Sequence, residues 1–551
     1  MLEKAKVVTA ELKAQMSNQP PVNAGHNAFL NDGVLVQMTS NMPDSVVNGF
    51  SRHGRWVASR EALDLARLAN EHPPILRSFD GRGERLDQVE FHPAYHALMR
   101  RGISIGLNSS IWSDDADERG IRNEARGVRF MLTSQLEQGH TCPLTMTHAS
   151  IAALMTEPDV LKDWMPRIMS PDYDSSQKSP GTKKGLTIGM GMTERQGGSD
   201  VRANTSTAEL GNDGNWRING EKWFFSAPMC DAFLVLAQTS VGLSCFLIPR
   251  LLPDGSNNGL QLQRLKEKVG NRSNASSEVK FVNTIGSLIG EDGRGIKTIL
   301  EMVTLTRLDC ALGSAGQMRA ALSEAVHHAR HRSAFGKKLI DQPLMIRVLA
   351  DLALEVAAAQ SLTLRLARSF DRASGDDVEA GFARLMTPVV KYWVCKSAPA
   401  MILEAMECLG GNGYVEESVL ARLYRESPLN GIWEGSGNIM CLDVLRVMRR
   451  APNMSTTVLE TLAKDMGDNT NQTMDVLRIA GDMALEDEGS ARILTEQLAL
   501  TAAAAEMRRA MPAELADAFI ESRLGRPWRN TYGMMDSRYD ARAIVDYVCP
   551  S

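Results

Sequence analysis

No stretch of this 551-residue sequence approaches the ~20 consecutive apolar residues a membrane helix needs, which excludes a spanning protein as the reading. No basic stretch leads into an apolar core and a small-residue cleavage site near the amino terminus, so the expected location is cytoplasmic. The cysteines (Cys142, Cys230, Cys245, Cys310, Cys395, Cys408, Cys441 and Cys549) form no C-x-x-C pair, which excludes a zinc ribbon and a disulfide framework and leaves buried free thiols as the expectation. No H-E-x-x-H occurs. His327 and His331 stand four apart, but Arg330 and Arg332 crowd them with positive charge, so no metal is expected. Aromatic residues make up only 5%, whereas Met occurs 29 times, a composition suited to filling gaps between packed helices.

What is present changes period along the chain. Residues 1 to about 55 read as irregular, with turn formers in NQPPVNAGHNAFLNDG. Ala62, Leu65, Ala66 and Ala69 then fall on one helical face, with Ser59 as N-cap and Pro73-Pro74 as the stop. Helical patterning is expected to continue to about residue 170. WRINGEKWFFS, AFLVLAQT, LSCFLIPR and SEVKFVN are short strand-like runs separated by turn residues, as in a compact β domain. Long helical segments return from 288, and Ala- and Leu-rich helices follow Pro452. The expected fold is α+β and mainly helical, with domains at 1–184, 185–287, 288–450 and 451–551.

GMGMTERQGGSD, residues 189–200, combines glycines with hydroxyl side chains, so its backbone N–H groups could approach an anionic or heteroaromatic ligand closely. It is not a dinucleotide fingerprint, because Glu194 stands where G-x-G-x-x-G needs glycine, and by itself it also reads as a surface turn. GIWEGSGNIM, residues 431–440, places Glu434 between an indole and a glycine, with Ser436 and Asn438 following. Alone, that acid is as well an exposed loop residue.

MTERQGGSD, KWFFS, RSAFGKKLIDQPLM, LGGNGY and IWEGSGNIMCLDVLR occur in this order on a helix–strand–helix layout, and together they resemble the acyl-CoA dehydrogenase superfamily of flavoproteins. GMGMTE, WFFS, WEGSGNIMCLD and the long tail resemble its AidB-type adaptive-response branch. The resemblance implies an N-terminal helical domain, a middle β-barrel, a C-terminal helical bundle and an extra C-terminal helical domain. It implies FAD along Met190, Gly191, Met192, Thr193, Gly198 and Ser199, with Thr193 at the ring and Ser199 near the pyrophosphate. Phe224, Phe225 and Ser226 would line the isoalloxazine. Arg332 and Phe335, beside Gly336, would reach from a neighbouring subunit to the ADP half, with Gly410 and Gly411 nearby, which implies a homotetramer. Ile432, Trp433, Gly435, Ser436, Gly437 and Asn438 would surround the flavin and its chain, and Glu434 would be the base that takes the α-proton of a short or branched acyl-CoA. Electrons would pass to an electron-transfer flavoprotein. Arg195, in place of the family's proline, and Glu407, in place of its glutamine, depart from the pattern.

The AidB-type resemblance also implies double-stranded DNA as a partner in the response to alkylation damage. Duplex binding needs basic side chains on phosphates. Residues 451–551 hold one lysine and nine arginines against sixteen acidic residues, so the tail is net acidic. Arg446, Arg449, Arg450, Arg508, Arg509, Arg523, Arg526 and Arg529 are the candidate DNA contacts, and salt bridges within a helical bundle explain them equally.

Overall fold

A computed structural model describes residues 18–467, 470–525, 531–535 and 538–550. Ser59 Oγ accepts the Ala62 amide at 3.2 Å, and helix Arg60–Glu71 runs on to the two prolines, as its spacing predicts. The segment before it is not irregular throughout: helices Gly33–Met38 and Asp44–Val57 form there. The second buries Val46, Phe50, His53, Gly54 and Val57, an apolar stripe masked in the sequence by two glycines. Gly54 is required, since a Cβ there would lie 2.6 Å from the Phe29 amide nitrogen. A second correction falls within the stretch expected to be helical, where β1 (Ile75–Phe79) pairs antiparallel with β2 (Arg85–Glu90) across the turn at Asp80. Every cysteine is a buried free thiol.

The chain divides into two compact units. One comprises Leu63–Ala116 and Glu137–Asp309 and contains the expected β module. Its strands are β3 (Ile188–Gly191), β4 (Thr207–Leu210), β5 (Trp216–Ser226), β6 (Ala232–Gln238), β7 (Leu243–Pro249), β8 (Leu260–Leu265) and β9 (Ser276–Ile289). The order β6-β4-β5-β9-β7 closes when β7 pairs back onto β6, so a barrel forms, with β3 added beside β6 and β8 beside β9. Closure leaves those five strands without an unpaired edge. Phe225, Phe233, Phe246 and Phe281 fill the interior, the rings of Phe225 and Phe233 lying 4.4 Å apart.

The other unit comprises the chain up to Ala62, Asp117–Leu136 and the chain from Cys310 onward. Helices Pro343–Arg372 and Asp377–Glu407 form its centre. They are apolar almost all round because helices surround them. Tail helix Ala491–Ala510 buries Leu494, Leu498, Ala499, Ala502 and Ala503 against both of them and against helix Gly437–Arg450. Small alanines allow that close approach.

The two ends of the described chain interlock in this unit. Asp32, fully buried, caps helix Gly33–Met38 by accepting the Leu35 amide at 3.0 Å, while its other oxygen accepts from Arg319 Nε at 3.0 Å and Gln360 Nε2 at 2.7 Å. Asn31 Nδ2 donates to Pro550 O at 3.2 Å, and Arg330 Nη2 donates to Asp546 at 2.7 Å and to Cys549 O at 2.6 Å. A Cβ on Gly33 would lie 1.9 Å from Tyr547 O, so only glycine admits this contact. No helix among the described residues is long and apolar enough to cross a membrane.

Candidate active site

In the barrel unit, β3 carries Met190 and Gly191 and feeds the loop from Met192 to Ser199. Its anchor is Glu194, which the sequence reading treated only as the residue that spoils a fingerprint. Glu194 Oε1 accepts from Lys222 Nζ at 2.7 Å and Ser206 Oγ at 2.7 Å, and Oε2 accepts from the Thr205 amide at 2.6 Å and Gln196 Nε2 at 2.8 Å. Both members of the Glu194–Lys222 pair are almost completely buried. Burial pushes the Glu194 carboxyl up, but the Lys222 charge and these donors outweigh it and bring it down to about 2. The pair ties the first residue of KWFFS to the third of MTE. Asn204 Nδ2 adds a bond to Met192 O at 2.9 Å, and the Trp223 amide one to Thr193 O at 2.9 Å. The loop backbone is thereby held while Gly198 and Ser199 stay exposed and Thr193 half-buried.

Along β5 the register to β9 shifts between Lys222 and Phe225. This bulge re-aims the strand. Phe224 is 52% exposed and Ser226 half-buried, but Phe225 is fully buried inside the barrel, 6.0 Å from Phe281. The expectation that the Phe225 side chain faces the ligand is therefore corrected: its ring belongs to the barrel core. Trp223 carries two cations, Lys266 Nζ at 3.6 Å from its ring centre and the Arg195 guanidinium at 4.7 Å. Arg195 also pairs with Glu221 at 3.1 Å, which accounts for that departure by local partners.

In the helical unit the chain turns sharply at Glu434, whose φ of 58° lies in the left-handed region that a glutamate avoids. Its neighbours hold it there. Lys391, 1% exposed, donates from Nζ to Asn430 O at 2.9 Å and to Gly435 O at 2.7 Å, one carbonyl on each side of the acid. Trp433 Nε1 donates to Asn430 Oδ1 at 2.9 Å, and Asn430 Nδ2 donates to Ser314 Oγ at 3.1 Å. Glu434, Trp433 and Gly435 are half-buried, and Ile432 is 64% exposed. Ser436 precedes helix Gly437–Arg450 without a side-chain capping bond, and Asn438 Oδ1 accepts two bonds from Arg492 of the tail. Strained backbone with this much support marks a site where orientation matters.

Phe335 and Gly336 form the two-residue turn between β10 (Ser333–Ala334) and β11 (Lys337–Lys338), and Arg332 precedes β10. Arg332 Nη1 donates to Asn18 O at 3.0 Å, and Phe335 is 99% exposed. Gly410 and Gly411 lie in an exposed turn whose Asn412 donates to Gln19 Oε1 at 3.0 Å, so residues 18 and 19 link this turn to Arg332. Glu407 is exposed.

The candidate DNA arginines fare differently. Arg523 is corrected: its guanidinium is buried with Asp351 and, at 3.0 Å, Glu355, so it cannot reach a phosphate. Arg446 pairs with Asp443 at 3.2 Å, Arg449 with Glu488 at 3.7 Å, Arg508 with Asp517 at 3.3 Å and Arg509 with Glu506 at 2.5 Å. Arg450 is exposed, and Arg526 and Arg529 lie outside the described residues.

Residues 18–175 match the family model described as the adaptive response protein AidB N-terminal domain, 189–284 the acyl-CoA dehydrogenase middle domain, and 293–449 the acyl-CoA dehydrogenase C-terminal domain. The chain is 46% identical to AidB of Escherichia coli (strain K12), with 92% of this chain and 93% of that one covered. It is 32% identical to acyl-CoA dehydrogenase family member 11 of Caenorhabditis elegans, over 78% and 72% of the two chains. Among solved structures, that of C. elegans ACDH-11 in complex with C11-CoA has a TM-score of 0.81 at 27% identity, covering 97% of this chain and 92% of that one.

Proposed function

The chain belongs to the acyl-CoA dehydrogenase family, in its AidB branch, and from that premise we propose that it binds FAD and dehydrogenates a short or branched acyl-CoA with Glu434 as the base. The observation that carries this reading is the strained, clamped backbone at Glu434 between the Lys391-bound carbonyls. The residues suit the cofactor. Phe224 is 52% exposed with the Lys266 ammonium over its ring at 4.7 Å, the Gly198–Ser199 residues are accessible, and the Ser436 hydroxyl makes no capping bond. Thr193, Ser199, Ser226, Ser436 and Asn438 would hold it, with Arg332 and Phe335 serving the adjoining subunit of a homotetramer. When bound, FAD supplies the acceptor for the hydride leaving the β-carbon. Glu434 takes the α-proton, so the two C–H bonds give way to a C=C bond. Trp433 stands next to Glu434 in the chain, its ring tied to Asn430, and a substrate that displaced water there would leave the carboxylate a stronger base. An electron-transfer flavoprotein is the proposed acceptor from the reduced protein.

The alternative reading, a double-stranded DNA-binding flavoprotein of the alkylation response with FAD mainly structural, rests on the AidB likeness. Burial removes Arg523 from it, while Arg446, Arg449, Arg508 and Arg509 stand at the surface in ion pairs with acidic neighbours. Anaerobic mixing with butyryl- or isovaleryl-CoA tests the dehydrogenase. The yellow protein should bleach, and Glu434→Gln should stay yellow on mixing. Bleaching that persists in the variant removes Glu434 from the chemistry.

A further inference from the structure

A side chain from the tail meets the WEGSGN motif at the start of helix Gly437–Arg450. Arg492, at the head of helix Ala491–Ala510, donates to Asn438 Oδ1 from Nε at 2.9 Å and from Nη2 at 2.7 Å. A guanidinium has donors and no acceptor, so the amide atom facing it must be the oxygen. This removes an ambiguity built into asparagine, which elsewhere can turn either end to a partner. With Oδ1 engaged, Asn438 has only its Nδ2 hydrogens left to offer, and the residue is exposed. Its surroundings favour an acceptor too: the Ser436 hydroxyl is not used in a cap, and Lys396 Cε lies 3.4 Å from the Cβ position of Gly437.

We propose that Arg492 is a positioning residue for the cofactor. By gripping Oδ1 it converts Asn438 into a pure donor, aimed at an acceptor oxygen of the ribityl–pyrophosphate chain of FAD. This deepens the flavoprotein reading above and rests on it. The contact makes tail and cofactor interdependent: whatever orders Arg492 raises affinity for FAD, and bound FAD steadies the tail to the same extent.

The test uses the full chain, freed of FAD and titrated with it while flavin fluorescence is followed. Asn438→Asp keeps an oxygen for Arg492 and adds an ion pair, but it replaces the ligand-facing donor with an acceptor. FAD binding should weaken at least about tenfold, while the melting temperature of the FAD-free protein holds or rises. Arg492→Ala should weaken binding about fivefold in the native background and add nothing once Asn438→Ala, which leaves Arg492 no oxygen to hold, is present. Arg492→Lys, retaining one donor, should fall between, and it carries the test if the alanine variant does not fold. An Asn438→Asp protein that binds FAD as tightly as the original, or an Arg492→Ala loss of equal size in both backgrounds, overturns the assignment. An unaltered chain that takes up no FAD overturns the flavoprotein reading itself, and the assignment with it.

Discussion

Lys391→Met isolates what the clamp around Glu434 does. Methionine keeps much of the stem and removes the Nζ bonds to Asn430 O, at 2.9 Å, and Gly435 O, at 2.7 Å. Hydrogen bonds from a charged donor contribute ~1.5–3 kcal/mol each, so ~3–6 kcal/mol of interaction is lost. Most of that is offset, because an ammonium no longer has to be buried, a relief of several kcal/mol. Global stability should therefore fall by only ~1–2 kcal/mol. Orientation has no such offset. A glutamate at φ 58° sits ~1–2 kcal/mol above its right-handed alternatives, and without the clamp the turn relaxes. A misplacement of about 1 Å of a catalytic group lowers rates ~100-fold. Stopped-flow bleaching by excess short-chain acyl-CoA should slow by about that factor, with flavin content retained and the urea midpoint little changed. Bleaching at the original rate in a folded variant refutes the clamp. Loss of fold and bleaching together makes Lys391 a stability residue instead.

Two further outcomes follow from other contacts. Glu194→Gln should destabilise the protein by ~3–5 kcal/mol at neutral pH, because it leaves Lys222 buried without its carboxylate. The native carboxyl stands at about 2 against an ordinary 4.5, so its contribution is complete above pH 4.5 and drains away as the pH falls toward 2. Denaturation curves of the two proteins should accordingly converge on acidification, and a gap constant across that range counts against the assignment. If the proposed homotetramer uses Phe335, Phe335→Asp should reduce the mass in light scattering and weaken FAD uptake, because a side chain 99% exposed in its own chain contributes to a partner or to nothing. An unchanged mass removes Phe335 from the contact.

The barrel strands were legible because turn residues bound each apolar run, and WRINGEKWFFS is β5 from end to end. Which face each β5 side chain takes was not legible. Alternation fails at the bulge after Lys222, and nothing local distinguishes the exposed Phe224 from the buried Phe225. Glu434 was singled out by its motif, but its clamp was not. Lys391 shows in the sequence only as the single cation in the apolar run MTPVVKYWVC, without a hint that two carbonyls await it. Helix Asp44–Val57 was not legible, because turn formers dominate the segment before it and two glycines mask its stripe. The arginines of the tail could not be sorted from spacing. The partners of Arg523 lie 168 and 172 positions away, and only the fold separates an internal ion pair from a surface charge.

The contacts of Asn31 with Pro550 and of Gly33 with Tyr547 dictate an order of assembly during synthesis. Asn31 waits 519 positions for Pro550, which at about 5–20 residues per second is roughly half a minute to two minutes on the ribosome. The barrel unit has all its pieces once residue 309 has emerged and can close meanwhile. The helical unit cannot: until residues 547–550 have emerged, Asn31 and Gly33 lack the backbone they pack against, and that seam stays open.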